Sequence, residues 1–224
     1  MDTMERAIDI QLEDLKKMIL LMGGHVEKSL AQVTAALLSR DVDMFSGVHD
    51  IEKLINEDHI RVDNACMHVL AKQGPVAKDL RLIISVLKIN NDLERMGDQT
   101  VNISYSGKDY LGRKPIQQQL SDIQKMSEIA GRMVKGSLDS FVRGDVEQAK
   151  KILLMDDEID ALKNKVFQDA MAHMKAHSDD VEAGMDLILI ARNLERLGDH
   201  ATNIAEDVIF AFTGKDVRHG GKFG

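Results

Sequence analysis

The residues best suited to chemistry are four carboxylates carried by two copies of one decapeptide. Leu93–Asn102 reads LERMGDQTVN and Leu194–Asn203 reads LERLGDHATN, so Leu, Glu, Arg, Gly, Asp and Asn recur at the same spacing. Each copy holds a Glu and an Asp four residues apart, Glu94/Asp98 and Glu195/Asp199. On a helix that spacing points both side chains to one face. At roughly 100° per residue, Arg81, Lys88, Asp92, Arg95 and Gln99 form a predicted solvent stripe. Glu94 and Asp98 fall instead in line with the apolar Leu80, Ile83, Leu87 and Val101. In the second copy Arg196, His200, Asn193 and Asp207 are expected to face water, and Glu195 and Asp199 to line up with Met185, Ile188 and Ala191.

Carboxylates on a packing face are costly unless a positive charge compensates them. An Arg or Lys side chain can do so, and so can a metal cation. Arg192 lies three residues before Glu195, but Asn91 holds the equivalent place in the first copy, so that ion pair does not repeat where the carboxylates do. The asymmetry favours a metal, and all-oxygen ligands suit Mg, Mn or Fe. A second acid pair precedes each motif. In MDDEIDAL it is Asp156/Asp160, whereas IEKLINED supplies Glu52 followed by Asn56. His59 and Asp63 share the stripe of Glu52 and could complete a site there. Lys163 and Phe167 occupy the corresponding places in the second half, and Lys163 could pair with Asp156 or Asp160.

These residues need long helices to position them. Apolar periodicity predicts helices over 7–38, from the turn at Arg40–Asp43 to Lys72, and over 76–106; each end carries Gly, Pro or Asp punctuation. Asp41 or Asp43 is a candidate N-cap, and Gly23-Gly24 could bend the first helix. The second half repeats the scheme over 120–142, 146–176 and 181–212, with a turn at His177–Asp180. GKDYLGRKP (Gly107–Pro115) reads as the one linker. The expectation is an all-α fold of two pseudo-symmetric three-helix bundles, six long antiparallel helices. The first spans 1–107, the linker 108–117 and the second bundle 118–213, followed by a mobile tail at 214–224. Gly97 and Gly198, inside the motif helices, cost about 1 kcal/mol each against Ala and so imply close approach of another backbone, as at a tight helix crossing, or of a bound cluster.

Composition narrows the function further. With 44% hydrophobic residues in 224, a core is well supplied, and a net charge of −8 with no Trp argues against nucleic acid. The single Cys66 excludes an internal disulfide, and no apolar run approaches the ~20 residues of a membrane span, so a cytoplasmic location is expected. No His has a Glu three residues before it, as a di-iron bundle requires, and Asp216/His219 comes nearest to that spacing. His173 and His177 could chelate but read as a solvated helix end. P-loop, dinucleotide and nucleophile-elbow motifs are absent, so the residues outline no catalytic constellation.

Four segments together resemble the PhoU family of phosphate-uptake regulators: Gly74–Arg81 (GPVAKDLR), Asn91–Asp98 (NDLERMGD), Asn193–Asp199 (NLERLGD) and Gly214–His219 (GKDVRH). The resemblance runs nearly end to end and implies the same two-bundle fold. It implies a multinuclear metal cluster (Fe, Zn, Mn or Mg) on Glu94/Asp98, Asp156/Asp160 and Glu195/Asp199, with Glu52 in a fourth pair that Asn56 leaves incomplete. It further implies a non-enzymatic negative regulator, a homodimer, acting on the ATP-binding subunit of a phosphate ABC transporter and on its sensor histidine kinase. A carboxylate-bridged metal-dependent enzyme and a metal-free helical adaptor are the alternatives.

Overall fold

The computed structural model describes residues 7–114 and 116–217. The expected tail therefore lies outside the described residues from Arg218 onward, as do Pro115 and His219. Helix α1 spans Ala7–Ser39, α2 Ser46–Gln73 and α3 Ala77–Leu111. After the crossover come α4 (Gln117–Arg143), α5 (Val146–Leu153), α6 (Asp156–Ala176) and α7 (Val181–Thr213). The three longest run 33 or 35 residues, about 50 Å each. Among the described residues there is no strand.

Local chemistry sets most helix ends. Asp41 accepts a hydrogen bond from the Asp43 amide at 3.0 Å and so caps the short 3-10 turn, Val42–Phe45, that leads into α2. Asp145 does the same for α5 through the Gln148 amide. Gly74 and Gly144 close α2 and α4 with φ of 52° and 66°, in the left-handed region that glycine enters without penalty. Gly23 and Gly24 leave α1 uninterrupted.

Two boundaries differ from the sequence expectation. Helix α3 continues through Gly107 to Leu111, which shortens the linker. Tertiary contact explains it. A Cβ at Gly107 would lie 2.7 Å from Phe45 Cζ, and buried Tyr110 donates its hydroxyl to Ile116 O and accepts from Ile116 N, both at 3.0 Å. In the second half one expected helix, 146–176, is broken at Leu154–Met155 into α5 and α6. Helix α5 seals the core with Ala149 and Ile152, while Leu154 is left largely exposed at the break.

Helices α1, α2 and α3 pack on one another, as do α4, α5/α6 and α7, which gives the two three-helix bundles. The bundles meet along two lines, α3 on α7 and α1 on α4, and the α3–α7 packing is the most extensive in the molecule. This overturns the predicted solvent stripe. Gln99, Asn193 and Asp207 are buried, and Lys88, Asp92 and His200 are half-buried in the seam between the bundles. Asp92 Oδ1 lies 2.8 Å from His200 Nδ1 and accepts from Asn203 Nδ2 at 3.2 Å. Lys88 Nζ lies 3.4 Å from the buried Asp207 carboxylate and 5.3 Å from the centre of the Phe210 ring. Polar residues of one helix there meet polar residues of the other, and of the motif stripes only Arg95 and Arg196 are exposed.

The motif glycines sit at equivalent crossings. A Cβ at Gly97 would lie 3.1 Å from Ile55 on α2, and one at Gly198 would lie 3.2 Å from Ile159 on α6. Close helix approach, rather than a ligand, accounts for both. Gly97→Val and Gly198→Val are expected to overpack these crossings at a cost of about 1–3 kcal/mol each. At Gly24 nothing lies within 4 Å of the place a Cβ would take, so Gly24→Ala is expected to stabilise by up to about 1 kcal/mol. Thermal denaturation in chelator reads both signs; a destabilised Gly24→Ala or an unaffected Gly198→Val would contradict this packing.

Candidate functional site

Two carboxylate sets lie at equivalent places, one between α2 and α3 and the other between α6 and α7. Their position corrects the sequence expectation. Glu94 and Glu195 are half-buried, while Asp98 and Asp199 are exposed, so each pair sits at the edge of the packing face and not within it. The reason is that Ile83 and Ala191 carry the packing, whereas Leu80 and Met185, on the same stripe, are themselves open to solvent.

In the first set Asn56 Nδ2 donates to Glu52 Oε1, so the amide ties up one carboxylate oxygen. Burial, and then the charge of Glu52, raise the Asp98 pKa above the usual carboxylate value. Glu94 stands one helical turn before Asp98 on α3. His59 and Asp63 are each held by an asparagine of α3. His59 Nε2 lies 3.1 Å from Asn91 Oδ1, and Asn90 Nδ2 donates to Asp63 Oδ1 at 2.9 Å.

The second set is more strongly charged. Asp156 and Asp160 come from α6, Glu195 and Asp199 from α7. Burial, followed by Glu195, Asp156 and Asp160, pushes the Asp199 carboxyl up to about 6. Burial and then Asp160, Asp157 and Glu195 raise Asp156, against an opposing pull from Lys163. These mutual effects place the four carboxylates in one electrostatic neighbourhood. One lysine serves them: Lys163 Nζ lies 2.8 Å from Asp160 Oδ1 and 2.7 Å from Glu195 Oε1. Those two hydrogen bonds raise the Lys163 pKa, so it is fully charged at neutral pH. The ion-pair reading of the sequence thus holds for Lys163 with Asp160, and Glu195 is its second partner. Arg192 instead lines a 490 Å³ cleft with Lys163, Asn164, Phe167, Ile188 and Glu195, and His200 pulls the Asp199 carboxyl weakly in the opposite direction.

As the side chains stand, no three His, Cys, Asp or Glu among the described residues converge to hold a metal ion. The donor chemistry nevertheless suits a hard cation. Asp156 Oδ1 is buried with no hydrogen-bond partner, an orphaned acceptor of the kind a cation satisfies. Elsewhere, His173 Nε2 is 2.8 Å from Asp180 Oδ2 and its ring stacks on His177 at 4.4 Å, a pair that closes the α6–α7 turn. Cys66 is fully buried, and burial raises its thiol to about 12, consistent with core packing. No helix among the described residues is long and apolar enough to cross a membrane.

The sequence matches the PhoU domain model twice, over residues 19–106 and 123–208. The phosphate-specific transport system accessory protein PhoU homolog of Zymomonas mobilis is 34% identical over 218 residues, 95% of this chain and 89% of that protein. The corresponding protein of Pseudomonas putida is 32% identical over 94% of this chain and 82% of its own length. The Escherichia coli PhoU is 29% identical over 94% and 87%. Among solved structures, PhoU from Pseudomonas aeruginosa superposes with a TM-score of 0.89 at 31% identity, covering 92% of this chain and 99% of that one. The phosphate transport system regulatory protein PhoU from Streptococcus pneumoniae gives 0.86 at 27%, covering 94% and 99%.

The raised Asp199 pKa carries a pH signature. A carboxyl with a folded-state pKa above its unfolded value of 3.8 favours the fold when protonated, so that contribution is present below about pH 4 and is lost as pH rises through about 6. More than a third of Asp199 is open to solvent, and screening there limits its size. Metal-free protein is expected to lose more stability between pH 5 and pH 7.5 than Asp199→Asn does. Parallel melting-temperature profiles for the two would rule out the crowding of Asp199.

Proposed function

Because the chain belongs to the PhoU family, with both bundles matched to its domain model, we propose that it is a regulator of phosphate-specific transport and not an enzyme. Its proposed targets are the ATP-binding subunit of a phosphate ABC transporter and the associated sensor histidine kinase, both reached from the cytoplasm. It would meet the membrane only through them. The observation that carries this reading is the doubled match, one in each half. Near-full-length relatives named as phosphate-transport accessory proteins support it.

Metal binding is part of the proposal. Asp156, Asp160, Glu195 and Asp199 would hold one cluster, and Glu52, Glu94 and Asp98 a second, poorer one. A bound cation would offset carboxylate charge and tie α6 to α7, as Mg, Mn, Fe or Zn can do with oxygen donors. The chain's own contribution is to fix the spacing. Gly198 lets Ile159 approach closely, which holds the two acid-bearing faces side by side. The support is the unpartnered Asp156 oxygen and the excess of carboxylates over cations.

Deleting the gene is expected to leave phosphate-starvation genes expressed in phosphate-rich medium, read by a reporter fusion. Normal repression in that strain, with no second copy present, would refute the regulatory reading. For the metal, protein purified without chelator is expected to contain it by elemental analysis and to melt lower after chelation. Asp199→Asn should keep its helicity and lose metal; equal metal content in both proteins would leave the carboxylates to Lys163 alone.

A further inference from the structure

Lys163 occupies the position at which a cation would be most needed. Its ammonium spans α6 and α7, bonded to Asp160 on its own helix and to Glu195 across the interface. Side-chain exposures of 27% for Lys163 and 17% for Glu195 make that second contact partly shielded from solvent, so it is stronger than a surface pair. Among the described residues of the first half no lysine makes a similar bridge. His59 takes the corresponding place there, and it is engaged by Asn91 rather than by a carboxylate.

We propose that Lys163 is a tethered counter-cation of the second carboxylate set, one that metal must displace in order to bind. The inference rests on the metal reading given above and adds a residue that sets the affinity. Two observations support displacement. First, the ammonium holds one oxygen each of Asp160 and Glu195, the carboxylates that a cation shared by α6 and α7 would have to bridge, while Asp156 beside them keeps an unpartnered oxygen. Second, the lysine borders a 490 Å³ cleft lined by Asn164, Phe167, Ile188 and Arg192. Its four-carbon stem can withdraw along Phe167 into that cleft and keep the ammonium in water.

Displacement means that the metal replaces a single charge already in place. Binding must therefore break two charge-assisted contacts, and the wild-type site is weaker for it by a factor on the order of ten. The lysine in turn holds the metal-free bundle together. The first set, with Asn56 and, among the described residues, no bridging lysine, lacks both the full ligand count and the competitor. The two halves therefore respond to metal differently although their backbones correspond.

The test is calorimetric titration of chelator-treated, full-length protein with Mn²⁺ and with Zn²⁺, accompanied by thermal melts. Lys163→Met, or Lys163→Gln should the first fail to fold, is expected to bind about tenfold more tightly than wild type and to melt lower when metal-free. Lys163→Arg keeps the charge and is expected to bind like wild type. Lys165→Met, on the same helix but paired with Asp122 and Asp169, is expected to leave affinity unchanged. Equal affinity in wild type and Lys163→Met would overturn the displacement role and leave the metal reading standing. Weaker binding by Lys163→Met would overturn it as well. No heat and no change in melting with either ion, in any of these proteins, would refute the metal reading and with it this proposal.

Discussion

The structure depends first on helices α3 and α7 lying against each other with a buried carboxylate between them. Asp207 is almost wholly enclosed, and an unpaired charge in such a place would cost several kcal/mol. Lys88 reaches it from the other bundle and also stacks on Phe210, so the same lysine neutralises a charge and covers an aromatic ring. Ser85 donates to the Asp207 carbonyl at 3.2 Å, and His200 meets Asp92 further along. These contacts fix the register of one bundle on the other. With α3 and α7 packed on each other, each acid pair lies on another side of its helix, against the middle helix of its own bundle.

Between those helices the limiting factor is charge density. Two like charges ~4 Å apart repel by about 4 kcal/mol at an effective dielectric near 20, so four carboxylates cannot all stay ionised around one lysine without strain. The molecule shows both available responses. Asp199 and Asp156 take up protons more readily, while Asp160 and Glu195 share Lys163. In the first half the same load is lowered by sequence, since Asn56 stands where Asp160 stands and donates to Glu52 instead of repelling it.

Much of this could be read from the chain before any coordinates. The repeated LER-x-G-D register gave the two halves, and Gly, Pro and Asp punctuation, Asp41 included, gave helix ends, because local steric and capping chemistry decides them. Spacing gave the pairs Asp156/Asp160 and Glu195/Asp199, and their meeting needed in addition the packing of α6 on α7. The α3–α7 seam did not. Hydrophobic periodicity separates apolar from polar faces, and Gln99, Asn193 and Asp207 are polar, so it assigned them to water; only the pairing of two polar faces buries them. Gly107 was similarly misleading. Within GKDYLG it resembles a linker, yet it is helical because Phe45 and Leu37 press on it and leave no room for a side chain. The break at Leu154–Met155 falls in an apolar stretch without Gly or Pro, so nothing local announces it.

That break has a consequence for how the two halves move. Helix α2 runs unbroken through the place where α6 begins afresh, so α6 has its own helix start, with Asp156, Asp157 and Glu158 in the first turn and no side-chain cap on its leading amides. The amides at the break rely on backbone carbonyls, Met155 N on Ile152 O at 3.0 Å and Glu158 N and Ile159 N both on Met155 O at 3.2 and 3.4 Å, and a shared carbonyl with long bonds opens more readily than a continuous helical ladder. Hydrogen exchange in the metal-free protein should therefore run ahead at residues 155–160 compared with the same stretch of α2. In one half of a duplicated molecule the middle helix is continuous, and in the other it is interrupted beside the most crowded carboxylates.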